Sequence, residues 1–222
     1  MRSAMKRGLL GLGLGLLPLG TGGCQVIGFF AGAYQDNTPK TVEALYTGLE
    51  GKSFAVVVAA DRGVQGDFPG LVDYIVTRVT GRLAEPTNKP LAGGYVPAEQ
   101  VLKYAYDNPG WPAKTREVLA KSLGGVERLV IVEITEYRLH DPGNSYTWDG
   151  LASAQVSVYE LDGSLPESPV YQKTVSVPFP DDKGSGPEQI AQSGVNTALA
   201  QRLIDRVSWI FYEHEEKYNP KY

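Results

Sequence analysis

The chain contains one cysteine, Cys24, so the chemistry open to its thiol is restricted. No second cysteine exists with which it could form a disulfide inside the molecule. Cys24 follows a glycine-rich apolar run and precedes two phenylalanines in the stretch PLGTGGCQVIGFF. A buried structural thiol is disfavoured there, because such a segment offers no core for the sulfur to enter. The solitary thiol therefore needs another explanation.

The two histidines do not indicate a metal site. His140 comes at the end of a predicted strand, whereas His214 lies in the acidic stretch YEHEEK near the carboxyl terminus. A zinc site needs three or four closely spaced ligands of the His, Cys or carboxylate type. We interpret the surroundings of His214 as a solvated helix end and expect no bound metal.

The sequence also lacks a pattern for covalent or acid-base catalysis. Glu133 and Glu136 are three residues apart on a predicted strand, so they point to opposite faces and cannot act as a pair. Neither a GxSxG nucleophile elbow nor a phosphate-binding loop occurs. We expect a protein that is not an enzyme, with no catalytic residues and no cofactor.

Aromatic side chains in two turns are the candidate contacts with a partner. Tyr146 and Trp148 lie in the loop DPGNSYTWDG, whose Asp141 and Asp149 either hold a sugar-binding loop or only initiate and cap the turn. Trp111 closes the turn DNPGW, where it either covers the core or contacts a partner. Both alternatives remain open at the level of the sequence.

The amino terminus has the form of a targeting segment. Arg2, Lys6 and Arg7 precede an apolar run of Gly, Leu and one Pro from Gly8 to Gly20. A membrane-spanning helix needs about 20 apolar residues, and this run is shorter and rich in glycine, which lowers helix propensity. We therefore predict a signal peptide at residues 1–23, outside the fold.

The residues before Cys24 resemble the lipobox of bacterial lipoproteins, in which the cysteine is diacylated and begins the mature chain. Gly23 matches the family, whereas Thr21 stands where the family has Leu, Val or Ile. The resemblance implies a membrane anchor of palmitate-type chains on Cys24. It also favours the periplasmic face of the outer membrane, because Gln25 is not the Asp that retains such lipoproteins at the inner membrane. The alternative is an ordinary secretion signal that leaves Cys24 free.

Composition indicates one soluble domain after this segment. The 222 residues are 42% hydrophobic and 21% charged, with a net charge of -4 and no run of Lys and Arg. Nucleic-acid binding is not expected, because it needs clustered basic side chains. We predict a lipid-anchored tether at 24–51 and a single α/β domain at 52–222. The tether contains a short helix from Pro39, with an apolar stripe of Val42, Leu45, Tyr46 and Leu49.

The remaining patterns predict an α+β fold with a mixed sheet. The apolar run at 53–60 predicts a central strand, and alternation at 128–140, 151–161 and 170–179 predicts a three-stranded antiparallel meander with one wetter face. Helices are predicted at 69–83, 98–106 and 113–123, with a short extended piece at 93–97. A long helix from about Pro187 to Lys217 is predicted to close the domain.

This order of elements resembles that of bacterial envelope lipoproteins with the fold of CsgG, LpoB and the amino-terminal domain of TolB. The resemblance is carried by KSFAVVVAAD, TREVLAKSLGGVERLVIVEITEY, QVSVYELDG and PVYQKTVSV. It implies a fold and a compartment rather than an activity. Our hypothesis for the function is a non-enzymatic, lipid-anchored protein that presents its domain to an envelope protein or to the cell wall. An oligomeric subunit of an export or assembly complex is the alternative.

Overall fold

The structure is a computed structural model that describes residues 39–84, 92–181 and 184–217. Its compact unit begins at Pro39. The predicted signal peptide at 1–23 and the predicted lipidation site Cys24 lie outside the described residues. The predicted tether is described only from Pro39 onward.

Strands and helices alternate through most of the described chain. The strands are β1 (Pro39–Val42), β2 (Lys52–Ala60), β3 (Ala92–Tyr95), β4 (Arg128–Arg138), β5 (Gly150–Glu160), β6 (Tyr171–Phe179) and β7 (His214–Lys217). The helices are α1 (Arg62–Asp67), α2 (Leu71–Ala84), α3 (Ala98–Asp107), α4 (Arg116–Ser122) and α5 (Gln192–Ser208). A short 3₁₀ helix spans Trp111–Ala113.

One mixed sheet forms the centre of the fold, with the strand order β3-β2-β4-β5-β6. β2 runs parallel to both β3 and β4, whereas β4, β5 and β6 form an antiparallel meander. The predicted fold class is confirmed: an α+β fold with a mixed sheet, a meander and a long carboxyl-terminal helix.

One face of this sheet is closed by α2 and α5, which pack against each other. α2 lies over β2, and α5 lies over β5 and β6. The strands present β-branched and alanine side chains to these helices, as a covered sheet face requires. The residues on this face include Val56, Val58, Val130, Val132, Ala152, Ala154, Val175 and Val177, all of which are buried.

The helix predicted from Pro39 is wrong. Residues Pro39–Val42 form β1, which pairs antiparallel with β7, and turns follow up to Gly51. The backbone N–H groups of Leu45 and Tyr46 both donate to the carbonyl of Ile210, at 2.8 and 2.9 Å. Leu45 is exposed while Leu49 is fully buried, so the predicted apolar stripe does not exist as one face.

The carboxyl-terminal helix is shorter than predicted. α5 ends at Ser208 rather than near Lys217, and the chain turns through Trp209–Tyr212 before it forms β7. β7 pairs with β1 in a two-stranded sheet that is separate from the main sheet. The two ends of the described chain therefore lie side by side, with Pro39 opposite Lys217.

A nearly buried guanidinium holds the segment before β2 against the sheet. The side chain of Arg128, at the start of β4, is only 7% exposed and forms ion pairs with Asp162 and Glu160. Its Nε also donates to the carbonyl of Gly48 at 2.8 Å, and the Tyr46 hydroxyl donates to Glu160 at 2.9 Å. Breaking such a pair leaves partly buried carboxylates uncompensated, so the cluster fixes the turn at 43–51.

Asp162 makes this cluster sensitive to acid. Hydrogen bonds from Lys52 and then Arg128 lower the pKa of the Asp162 carboxyl from 3.8 to about 2. Because the folded-state pKa is the lower one, the stabilisation is present above about pH 4 and is lost as the pH falls towards 2. We expect the free energy of unfolding, measured in urea, to fall less steeply between pH 5 and pH 2.5 in Asp162→Asn than in the parent chain. Parallel pH curves for the two proteins would contradict this account of the cluster.

Candidate functional site

The second face of the sheet changes from apolar to polar along its strands. The pairing registers place Ala55, Leu129 and Tyr159 in one cross-strand row, all of them buried. Two rows further along, Glu133, Gln155 and Thr174 lie side by side across β4, β5 and β6. The apolar end is covered by α3 and α4, which pack on β2 and β4 respectively.

The polar end forms a surface that we call the open face. It consists of Glu133, Ser153, Gln155, Ser157, Gln172, Thr174 and Ser176. Glu133, Gln172, Thr174 and Ser176 are exposed, whereas Ser157 is buried. The helix that packs on β5 and β6 is α5, which lies on the opposite side of the sheet. Solvent therefore covers the open face in the described part of the chain.

Hydrogen bonds between neighbouring strands order these side chains. The hydroxyls of Ser153 and Ser176 lie 2.9 Å apart, and the Gln172 amide donates to the Ser157 hydroxyl at 3.2 Å. Strand spacing of about 4.8 Å repeats this pattern of donors and acceptors across the surface. Such a surface can form many directed hydrogen bonds with a protein or a glycan.

Glu133 is a charged member of the open face, and a register shift between Ile134 and Glu136 places Glu136 opposite Ser153 on the same face. The expectation that Glu133 and Glu136 point to opposite faces is therefore wrong, although the Glu136 carboxylate is paired with Arg138.

The loop between β4 and β5 lies at one end of the open face. Arg138 at the end of β4 pairs with Asp141 and with Glu136, and its Nη1 donates to the carbonyl of Asp149 at 2.9 Å. The Asp149 carboxylate accepts from the Thr147 hydroxyl at 3.1 Å. Both aspartates are thus used to hold the turn, which agrees with the simpler of the two sequence interpretations.

The three predicted contact aromatics differ in accessibility. Tyr146 is 85% exposed, whereas Trp148 is 2% exposed and its Nε1 donates to the carbonyl of Ile190 at 2.8 Å. Trp148 also stacks on the His140 ring, with 4.4 Å between ring centroids. Because Trp148 is buried, it packs beneath the loop and stabilises it. Of these two loop aromatics, Tyr146 is the one that a partner could contact directly.

Trp111 is also a core residue and is 7% exposed. The turn that precedes Trp111 begins where α3 ends. At that point the backbone N–H of Asn108 donates to the carbonyl of Tyr104 at 3.0 Å. The interpretation of Trp111 as a cover for the core is therefore the correct one. Its small remaining surface lines a cleft beside β2 rather than an outer face.

His214 is not at a solvated helix end. It lies on β7 with a side chain that is 7% exposed, and its ring stacks on Trp209 at 4.5 Å between centroids. One ring nitrogen contacts a Glu216 oxygen at 2.9 Å, and that carboxylate also pairs with Arg206 at 2.6 Å. These contacts fasten β7 to the end of α5.

In residues 39–84, 92–181 and 184–217, no three His, Cys, Asp or Glu side chains are placed to hold a metal ion. Over the same ranges, no helix combines the length and the apolar character needed to cross a bilayer.

Comparisons with known proteins give distant structural neighbours. No family model matches the chain, and no curated protein matches it. The PelC dodecamer from Paraburkholderia phytofirmans is 13% identical, with a TM-score of 0.42 over 80% of this chain and 99% of its own. Lipoprotein GNA1162 from Neisseria meningitidis is 17% identical, with a TM-score of 0.42 over 71% of this chain and 98% of its own. Hypothetical protein CT253 from Chlamydia trachomatis is 16% identical, with a TM-score of 0.43 over 71% and 93%.

These neighbours are bacterial proteins, among them lipoproteins and proteins described as hypothetical. At TM-scores below 0.5 they carry no conclusion about the activity or assembly of this chain. The more specific resemblance to CsgG, LpoB and the amino-terminal domain of TolB stays a prediction.

The different roles of the two loop aromatics can be separated by mutation. Trp148→Ala should lower the free energy of unfolding by about 3–5 kcal/mol, because it removes a buried ring and its hydrogen bond. Tyr146→Ala should change the same quantity by less than about 0.5 kcal/mol, because its ring is solvated. Urea unfolding of both variants checks this expectation. Equal losses of stability would show that the loop is not supported by Trp148.

Proposed function

We propose that this chain is a non-enzymatic lipoprotein of the bacterial envelope, anchored through Cys24, whose open face binds another envelope component. The observation that carries the proposed binding role is the uncovered polar surface on β4, β5 and β6. The proposed anchor rests on the sequence around Cys24, and the outer membrane is the proposed location because of Gln25.

The length of the segment between the proposed anchor and the folded body limits how far the body can lie from a bilayer. Residues 25–38 separate Cys24 from Pro39, and an extended chain of this length spans at most about 50 Å. The body can therefore sit close to a bilayer or reach some distance into the periplasm. Two or more acyl chains would supply stable attachment, since each buried methylene contributes about 0.8 kcal/mol and one chain is marginal.

The open face suits a partner that offers hydrogen-bonding groups. Its hydroxyl and amide side chains come from two adjacent strands, and four of them are ordered by the hydrogen bonds Ser153–Ser176 and Gln172–Ser157, so these four lose little side-chain entropy on binding. Its charge is low, because Glu136 is paired with Arg138 and Glu133 is the other carboxylate on this face, which favours a neutral or weakly basic surface on an envelope protein. Tyr146 supplies an exposed aromatic ring on the loop after β4.

Self-assembly through the free edge of the sheet is the less well supported alternative. β6 lies at that edge, but Pro178 lacks a backbone N–H, and Lys173 is exposed although it pairs with Val156 on the helix-covered side. Proline and an inward-facing charge are devices that hinder edge-to-edge pairing. These features favour a different partner over a second copy at this edge.

The anchor is tested by Cys24→Ala in the full chain. Loss of the thioether should move the protein from the membrane fraction to the soluble periplasmic fraction and abolish incorporation of labelled palmitate. Wild-type protein handled in the same way is the control. An unchanged membrane fraction would refute the anchor, whatever the open face binds.

The binding role is tested by photo-crosslinking in intact cells with the lipidated chain. A photoreactive residue at Thr174 should give a discrete crosslinked product, because that position lies at the centre of the exposed β6 row. The same residue at Glu99, which is exposed on α3, is the matched control. Absence of a product specific to Thr174 in a chain that remains lipidated would count against the open face as the binding site.

A further inference from the structure

A second candidate site lies at the other edge of the sheet, beside β2. β2 pairs with β4 from Phe54 to Ala60, but β3 pairs only with Lys52, Ser53 and Phe54. In the described part of the chain, the final residues of β2 therefore have no strand neighbour on the β3 side.

Two hydrogen bonds show to which side each residue of β2 directs its backbone N–H and C=O groups. The carbonyl of Ser53 accepts from Glu127 N–H at 3.1 Å, on the β4 side, and the carbonyl of Phe54 accepts from Val96 N–H at 2.9 Å, on the β3 side. Backbone polar groups alternate from side to side along a strand. Val56, Val58 and Ala60 consequently direct their N–H and C=O groups away from β4.

These groups remain largely unpaired. The Ala60 carbonyl accepts from the Gln65 side-chain amide at 2.6 Å. No hydrogen bond from a described residue reaches the N–H or C=O of Val58 on this side, although Val58 is only 5% exposed. Buried backbone groups without a partner are rare, because each costs free energy comparable to a lost hydrogen bond. A partner for this strand edge would remove that cost.

A cleft of about 260 Å³ opens beside this edge. It lies between α2 and α3, where the Tyr106 hydroxyl donates to both oxygens of Asp73, at 2.8 and 2.9 Å. The lining is mostly small or apolar and is made of Val58, Ala59, Ala60, Gln65, Val72, Asp73, Leu102, Ala105, Tyr106, Pro109, Trp111 and Pro112. The volume is smaller than that of most sites for drug-sized ligands and suits a few residues of chain.

From this geometry we infer that the cleft binds a short extended peptide segment, which continues the line of β3 and pairs its backbone with Val58 and with the N–H of Ala60. Backbone groups that point away from β4 recur every two residues along β2, about 6.6 Å apart. A peptide strand repeats its own donors and acceptors at the same interval, whereas a compact small molecule does not. This is strand addition to a sheet edge.

The charge of the cleft indicates which type of side chain one end of the bound peptide carries. Asp73 is the charged side chain among the residues that line the cleft, and no cation pairs with it in the described part of the chain. A basic side chain on the peptide complements it. The segment therefore carries Lys or Arg at one end and small or β-branched residues along the rest, where Ala59, Ala60 and Ala105 leave room.

The probe is a pooled library of acetylated hexapeptides with Lys at the first position and Gly, Ala, Ser, Val or Thr at the other five. It is applied to the full chain in detergent, and enriched peptides are remeasured by fluorescence anisotropy. Ala105→Phe, which fills the cleft, should weaken their binding at least about tenfold. Lys103→Phe, on the same helix but outside the cleft lining, is the matched control and should bind as the parent does. Thermal unfolding establishes that both variants are folded, and Ala105→Leu replaces Ala105→Phe if that variant is not.

Two further measurements test the mode of binding. Methylation of alternate backbone nitrogens in an enriched peptide should abolish binding, because it removes the donors that pair with β2. Asp73→Asn should weaken binding about tenfold at low salt and by less at high salt. No enrichment, equal binding to Ala105→Phe, or full tolerance of methylation would overturn the inference. The open face is not involved, so failure here leaves the proposed function untouched.

Discussion

The sheet has two faces, and its long helices cover only one of them. α2 and α5 close one face from β2 to β6, whereas the short α3 and α4 cover the other face only over β2 and the start of β4. Residues beyond that cover must tolerate water, so the same strands that carry Leu129 and Tyr159 carry Glu133 and Gln155 two rows later. The open face is therefore a consequence of how the helices are distributed, and the cleft beside β2 arises in the same way from the short β3.

The two ends of the described chain are paired with each other rather than with the main sheet. β1 pairs with β7, and Arg128 holds the following turn against the start of β4 through Gly48 and Asp162. Pro39, where the described chain begins, therefore lies opposite Lys217, where it ends. This two-stranded ribbon is separate from the central sheet, which carries both candidate sites.

Local patterns predicted the sheet well because its strands alternate with period two, and the antiparallel meander joins neighbours in sequence. The same reasoning failed where the partner is distant. Helical spacing is found in the residues Val42, Leu45, Tyr46 and Leu49. β1 forms instead because β7 pairs with it, and nothing in the local sequence indicates this pairing. The burial of Trp148 depends on the carbonyl of Ile190, which lies 42 residues away. The sequence predicted the open face as the wetter face of the meander. The free edge of β2 could be recognised only from the register of β3 in the structure.

The central claim is that a partner covers the open face in the cell. If Cys24 is consumed by lipid, a cysteine introduced at Thr174 becomes the sole free thiol of the chain. The direct measurement compares its rate of labelling by a membrane-impermeant maleimide in permeabilised cells and in the purified lipidated protein. The account predicts slower labelling in cells at Thr174→Cys, and equal rates for Glu99→Cys on α3. Equal rates at both positions would contradict it.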